Sequence, residues 1–391
     1  MNSSLKKRNN WPQTAAYFAA LAAFGAMVAS WGPMLPHIAA QTQTDMGSIG
    51  IVFSARAVGV FFGSLVGGRI YDRLPGHPLL GGALLVLAST FILVPFINQL
   101  WLLLLLIVIM GFAAGMVISG SNTLLVWVHP ENTASWINSM NFCNAIGSFL
   151  SPILITTILT AVGEIRLALW ALSLFIAAVG IYALSVSSPA IDKDKNDAEK
   201  NDRVRFGKLL PFALVFLLYV SAEVSFGGWL YTFTISLHPS AVTGAGLLTS
   251  AFWASIAVGR LIAIPLTTRL RPRMILLIDF LGALGSLIVI ITLSFSLVAL
   301  WAGTIGFGLC MASIFPTWMA FSGRRIKITG RVSGIFYAAT AVGAMTFPAI
   351  CGWAFDASGP TATMLVILSA LLMAVIIYGI VRRTQPAQIT E

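Results

Sequence analysis

The sequence predicts an all-α integral membrane protein, with twelve transmembrane helices in two six-helix bundles. Three observations carry the prediction. Hydrophobic residues make up 58% of the 391 and charged residues only 9%, against about 25% charged in an ordinary soluble domain. The apolar residues fall in long runs broken by short polar turns. Lysine and arginine gather in alternate turns, all of which fall on one side if the chain crosses a membrane repeatedly. So little charge could not keep this chain soluble, whereas lipid contact over most of the surface removes the need for it. The 35 glycines suit helices that pack closely in lipid.

A span needs about 20 mostly apolar residues. Twelve segments qualify: 14–36, 47–70, 78–97, 101–128, 134–161, 165–187, 208–236, 243–268, 273–296, 298–322, 331–355 and 360–381. The first follows Lys6, Lys7 and Arg8, as a signal peptide would. Its run is long, however, ends near Gly32-Pro33 and precedes many more spans, so it reads as an uncleaved first helix. The one extended polar stretch, Ser188 to Lys208, mixes charges and holds few apolar residues. It cannot bury a core. The expected organisation is an N-terminal bundle (1–187), a cytoplasmic linker (188–207) and a C-terminal bundle (208–391).

With both termini in the cytoplasm, 20 of the 23 basic residues fall on the cytoplasmic side. Arg166 lies in an outer loop, and Arg56 and Arg260 lie within spans. Asp45, Glu164 and Asp356 lie outside. This is the positive-inside pattern, and it accounts for the net charge of +10 without nucleic acid. Cys143, Cys310 and Cys351 sit in apolar runs with neither metal nor disulfide spacing, so no metal is expected. No Gly-x-x-x-x-Gly-Lys-Ser/Thr loop is present, which excludes ATP-driven transport within this chain. No enzymatic activity and no cofactor are expected. The halves look like repeats. Ala57-Val58-Gly59 matches Ala257-Val258-Gly259, Arg69 and Arg73 match Arg269 and Arg273, and Ala145-Ile146-Gly147 with Pro152 matches Ala341-Val342-Gly343 with Pro348.

The loop after the second span, GRIYDRLPGH from Gly68 to His77, resembles the signature loop of the major facilitator superfamily, Gly-x-x-x-Asp-Arg followed by Gly and basic residues. Gly68, Asp72, Arg73 and Gly76 hold the matching places. Pro75 is an extra residue, and no Lys or Arg follows the glycine. The resemblance implies the major facilitator fold and a cytoplasmic latch between the halves. Asp72 would face the N-terminal dipole of the eleventh span, near Gly330, and Arg73 would meet lipid phosphates or carboxylates. Such a latch favours the outward-open state. The fifth span, INSMNFCNAIGSFLSP, is similar to the branch of the fucose permease and sodium-dependent glucose transporter-like proteins, through Asn138, Asn141, Asn144, Gly147 and Pro152. The seventh, YVSAEVSFGGWLYT, is similar through Glu223, Gly227, Gly228 and Trp229. The drug-antiporter pattern of the fifth helix is incomplete, with Ser151 for a glycine and Ile155-Thr156 for its last pair. The fucose permease uses carboxylates in its first and fourth spans, where this sequence has none.

Charges inside spans mark function, because each is costly in hydrocarbon. Arg56 lies ~13 Å below the outer end of its span and Glu223 ~22 Å from the inner side, so their depths are compatible. Glu223 is the expected ion-coupling carboxylate, binding a proton or cation in one access state and pairing with Arg56 in another; a permanent structural salt bridge is the alternative. Arg260 and Asp279 are expected to form a structural pair. His37 and His238 fall at outer ends and His77 and His129 in inner loops, so no histidine relay is expected. The resemblance makes spans one, four, seven and ten the cavity walls. These offer Trp31, Ser119, Asn122, Thr123, Trp229, Thr232, Phe315, Thr317 and Trp318, joined by Asn141, Asn144 and Trp253. Amides suit sugar hydroxyls and indoles suit a sugar's C–H face, although interhelical hydrogen bonding would use the same residues.

The expected function is secondary active transport of a small polar solute, a sugar, by cation-coupled alternating access with H+ or Na+ as the coupling ion. The alternative is a proton-coupled efflux antiporter for drugs or metabolites; a non-transporting receptor of the same fold is a third class. The expected setting is a monomer, multi-pass in a bacterial inner membrane, with the lipid bilayer and a small-molecule substrate as its partners and no nucleic acid.

Overall fold

In lipid every main-chain N–H and C=O must be satisfied within the protein, and a helix does this within one segment. The computed structural model describes residues 10–130, 133–189, 206–326 and 330–384, and among these the chain is helical with no strand. Twelve helices are long and apolar enough to cross a membrane: α1 (Trp11–Thr42), α2 (Met46–Tyr71), α3 (Gly76–Phe96), α4 (Leu100–Val128), α5 (Ser135–Val162), α6 (Ile165–Ser185), α7 (Gly207–Leu237), α8 (Val242–Thr267), α9 (Pro272–Thr292), α10 (Leu297–Gly323), α11 (Val332–Ser358) and α12 (Pro360–Arg383). The even number puts the start of α1, the end of α12 and the α6–α7 connection on one face, termed the linker face; the other is the distal face. Most of the linker, residues 190–205, lies outside the described residues.

The helices follow the apolar runs closely, with one difference. The first continues through Pro33 and Pro36 to Thr42. Each proline removes one helical hydrogen bond. Neighbouring helices hold this segment in place, since Trp31, Met34 and Leu35 are buried. A left-handed Gln43, at φ 51°, ends the helix.

Glycine sets the helix spacing. On α2, Gly59, Gly63 and Gly67 recur every fourth residue, as do Gly111 and Gly115 on α4. A side chain on Gly63 would strike the Phe112 main chain, and one on Gly115 the Val60 carbonyl. Such small-residue stripes let helix backbones approach in lipid. The same packing recurs in the second bundle. Gly59 meets the α4 main chain at Val108 while Gly259 of α8 meets that of α10 at Leu309. Gly147 of α5 meets Ala22 of α1 while Gly343 of α11 meets Leu217 of α7. The short sequence repeats are therefore packing registers used once in each bundle.

The bundles meet toward the distal face. Asp45 caps the short helix Met46–Ile49 by accepting from Ser48 N–H at 2.5 Å, and this bond holds the Asp45 carboxyl below its usual range. From the other bundle, Asp356 accepts from Gly47 N–H at 2.5 Å. Ser54 donates to the Met345 carbonyl. Phe53 lies against Gly228, Gly32 against the Gly227 carbonyl and Thr156 against Gly246. Replacing Gly63 by Val should cost about 1–3 kcal/mol through overpacking. A fall in the thermal unfolding midpoint of the detergent-solubilised protein checks this; an unchanged midpoint would show that α2 and α4 do not need the close contact.

Candidate functional site

Two polar regions occupy the interior. The first lies within the C-terminal bundle. Tyr219 and Glu223 are one turn apart on α7 and so share a face. The Tyr219 hydroxyl donates to the Met311 carbonyl of α10 at 3.0 Å. Glu223, partly buried, shares that face with Tyr219, and the charge of Arg260 from α8 acts on its carboxyl. Asp279 of α9, only 7% exposed, accepts from Ser313 of α10 at 2.5 Å. These polar groups come from α7, α8, α9 and α10 of one bundle.

This corrects one expected pair and leaves another unmade. Arg260 and Asp279 form no ion pair; the one ion pair among the described residues is Glu164–Arg166 on the surface, at 2.8 Å. The reason is orientation: α9 packs along α10 and turns Asp279 to Ser313, while the charge that acts on Glu223 is that of Arg260. Glu223 and Arg56 are likewise apart in this conformation. Arg56 lies 5.8 Å from the centre of the Phe53 ring.

The second region lies between the bundles. Phe53 of α2 lies 6.3 Å from Trp31 of α1, ring centre to ring centre, and 5.8 Å from the Arg56 guanidinium. It rests on Gly228, while Trp253 rests on Gly227. Trp31 Nε1, Arg56 Nε and Trp253 Nε1 are buried and have no hydrogen-bond partner, as does Asn144 Oδ1 of α5. Asn141 is half-buried one turn away from the Asn144 position. Asn122 donates to its own helix at the Ile118 carbonyl, 2.8 Å away. Thr232 and Thr317 each keep a buried hydroxyl without a partner. Ser119 lies beside Gly67 and Gly68, Thr123 is half-buried, and Phe315 packs among Phe216, Tyr219 and Tyr337.

Two of the indoles expected at a cavity wall are structural instead. Trp229 is fully buried and donates to the Pro348 carbonyl at 2.9 Å. Trp318 is fully buried, donates to the Phe212 carbonyl at 3.1 Å and packs against Phe321 and Tyr378. Their N–H groups are spent on main-chain carbonyls, which a residue list cannot reveal.

At the linker face, Asp72 and Arg73 are exposed and make no ion pair among the described residues. Gly68 lies 3.9 Å from Ser119 Oγ at a notional Cβ, and Gly76 opens α3 against Leu124. The side chains at 330 and 331, where the latch would close, lie outside the described residues. His77 is not in a loop. It is buried in the first turn of α3, with Nδ1 on the Val186 carbonyl and Nε2 on the Tyr17 hydroxyl, both at 2.8 Å. A carbonyl can only accept, so Nδ1 carries the hydrogen and Nε2 accepts from Tyr17. His129 stacks on Trp136 with centroids 4.2 Å apart, and desolvation lowers its pKa. Sequence reasoning missed Tyr219, Phe53 and Ser313. Tyr219 was detectable four residues before Glu223; Ser313 was not, since its partner comes from another helix.

Twelve spans in two similarly packed bundles, with unpaired polar groups between them, define a membrane transporter. The Major Facilitator Superfamily model matches residues 17–348, and the chain belongs to that family. Among curated proteins it is similar to sodium-dependent glucose transporter 1A of Mus musculus, 26% identical over 86% of this chain and 88% of that one. The corresponding figures are 26%, 84% and 70% for sodium-dependent glucose transporter 1 of Homo sapiens. They are 21%, 91% and 88% for major facilitator superfamily domain-containing protein 4A of Mus musculus. Among solved structures it resembles the nucleoside transporter NupG, with a TM-score of 0.74, 15% identity and coverage of 94% and 97%. A bacterial homolog of the human lysosomal transporter Spinster, inward-facing and occupied, gives 0.73, 14%, 95% and 97%. These two likenesses show the fold alone.

Trp229→Phe should lower stability by about 1 kcal/mol, the net worth of one buried hydrogen bond, while leaving apparent solute affinity unchanged. Parallel unfolding and uptake curves check this; a selective loss of affinity would return Trp229 to the binding site.

Proposed function

We propose that the protein is a cation-coupled secondary transporter that imports a small polar solute of the sugar class, with Glu223 as the coupling carboxylate. The carrying observation is the hydrogen bookkeeping around Tyr219. Its hydroxyl has one hydrogen to give, and that hydrogen goes to Met311 of α10. Glu223, one turn further along the same face, can then bond to the Tyr219 oxygen only when it carries a proton and donates. When Glu223 is ionised, the Tyr219 hydroxyl is drawn toward the carboxylate and away from α10. Cation occupancy thereby biases the position of a cavity helix, which is the differential interaction that coupling needs. The charges agree. Glu223, Asp279 and Arg260 together carry one excess negative charge when ionised, and a single monovalent cation, H+ or Na+, neutralises it.

Sugar and sodium gain support from the names of the relatives, and unpartnered amide and indole groups between the bundles suit hydroxylated solutes. Ser151, where the drug-antiporter pattern has glycine, is buried without a hydrogen-bond partner, which favours import of polar solutes over efflux. With the linker face in the cytoplasm, as the basic residues favour, distal closure makes this conformation inward-facing. The exposed Asp72 and Arg73 are then the released half of a latch that closes in the outward-facing state. The membrane would be a plasma membrane, the inner one of a bacterium.

The test is uptake into proteoliposomes under imposed proton or sodium gradients across a sugar panel. Glu223→Gln should abolish gradient-driven accumulation while preserving solute counterflow; intact accumulation would sink the coupling assignment, and the gradient required names the ion. Asp72→Asn should slow uptake about tenfold or less, the worth of one surface dipole contact, without changing the final accumulation ratio. A changed ratio would place Asp72 in coupling rather than in the latch.

A further inference from the structure

We infer that the site between the bundles takes a solute bearing a carboxylate, and that Arg56 binds it. This rests on the transport reading above. Arg56 is 7% exposed. Its Nε–H is buried without an acceptor, and no ion pair reaches it among the described residues. Its charge rests beside the Phe53 ring alone. Buried charges in spans are ordinarily paired, so a guanidinium held this way lacks its complement. Glu223, the nearest acid by depth, forms no ion pair with it among the described residues.

The neighbouring groups define that complement. Trp31 Nε1–H and Trp253 Nε1–H can only donate, and neither has an acceptor. A short chain of contacts links the three donors. Phe53 touches both Trp31 and Arg56 and lies on Gly228. The adjacent Gly227 carries Trp253 and meets Gly32, the residue after Trp31. The contributors come from α1, α2, α7 and α8, hence from both bundles. Unfilled donors together with one positive charge call for an oxygen-rich group with one negative charge. A carboxylate fits a single guanidinium, which binds it through parallel hydrogen bonds. A phosphate dianion would call for a second cation. The indole and phenyl faces suit the C–H face of a sugar ring. On α5, Asn144 Oδ1 lies beside Gly25, about 10 Å along α1 from Trp31, and accepts from nothing. It is a further buried acceptor at the α1–α5 contact. A hydroxylated carboxylate, a sugar acid, meets every one of these needs.

The experiment measures binding of D-glucuronate, D-glucuronamide, D-glucose and glucose 6-phosphate to the purified protein, with uptake of each into proteoliposomes. Wild type should bind glucuronate about tenfold or more tightly than glucuronamide, as expected for a charge-assisted pair. Arg56→Gln should erase that difference, so that the acid and the amide bind alike. Equal binding of acid and amide, or tighter binding of the phosphate, would overturn the inference. So would an Arg56→Gln variant that keeps the preference, or one that behaves like Glu223→Gln and loses accumulation of neutral sugar, which would make Arg56 a coupling residue. If Arg56→Gln does not fold, the acid–amide comparison in the wild type decides. Transport of neutral sugar without acid preference defeats the carboxylate alone; failure to handle any of the four defeats the sugar reading as well.

Discussion

Hydrocarbon supplies no hydrogen-bond partner, and the rest of the structure depends on that constraint. It forces the main chain into helices and removes the hydrophobic drive that would otherwise bring helices together. Association then relies on close backbone approach, which explains the glycine stripes of α2 and α4 and their counterparts at Gly259 and Gly343. The same constraint makes each buried polar side chain informative. Trp229, Trp318 and His77 have found partners and are spent on architecture. Trp31, Arg56, Trp253 and Asn144 have not, and a solute is the natural complement to such groups.

On the proposed reading the two polar regions divide the work of a transporter. Tyr219, Glu223, Arg260, Asp279 and Ser313 all belong to one bundle, so a cation bound there would not be displaced when the bundles move. The unpartnered donors lie between the bundles, where a solute can touch both. The α7 helix serves both regions: Glu223 and Gly227-Gly228 are about one turn apart on it. In the proposed mechanism that short separation would give cation and solute a common rigid element to bias. Distal closure through Asp45, Gly47 and Asp356 fits the state in which the linker face is accessible.

Most of the fold was legible because apolar length and basic-residue placement are properties of the chain itself. Even the repeats were visible, as short matches whose meaning became clear when Gly59 and Gly259 were seen in equivalent contacts. The end of α1 was misjudged because prolines that would stop a helix in water are held within one by its neighbours. The site was less legible. Glu223 and Arg56 stand out as charges in apolar runs, whereas the position of Arg260 and Asp279 toward the same end of adjacent spans suggests a pair that the packing does not make. Depth along a helix is readable from residue number; the direction a side chain points around it depends on which helix is beside it. For that reason four tryptophans with the same local context separated into two structural and two unpartnered ones.

The sequence by itself determined the membrane class, the twelve spans, the family and the four intramembrane charges, since hydropathy, spacing and short motifs are local. The tertiary structure alone decided which polar atoms are satisfied. It gave the Tyr219 hydroxyl to Met311 and Asp279 to Ser313, and left Arg56 without an acid. Hydrogen bonds and ion pairs reach only about 3–4 Å, and residues far apart in sequence come within that reach only after the helices have packed.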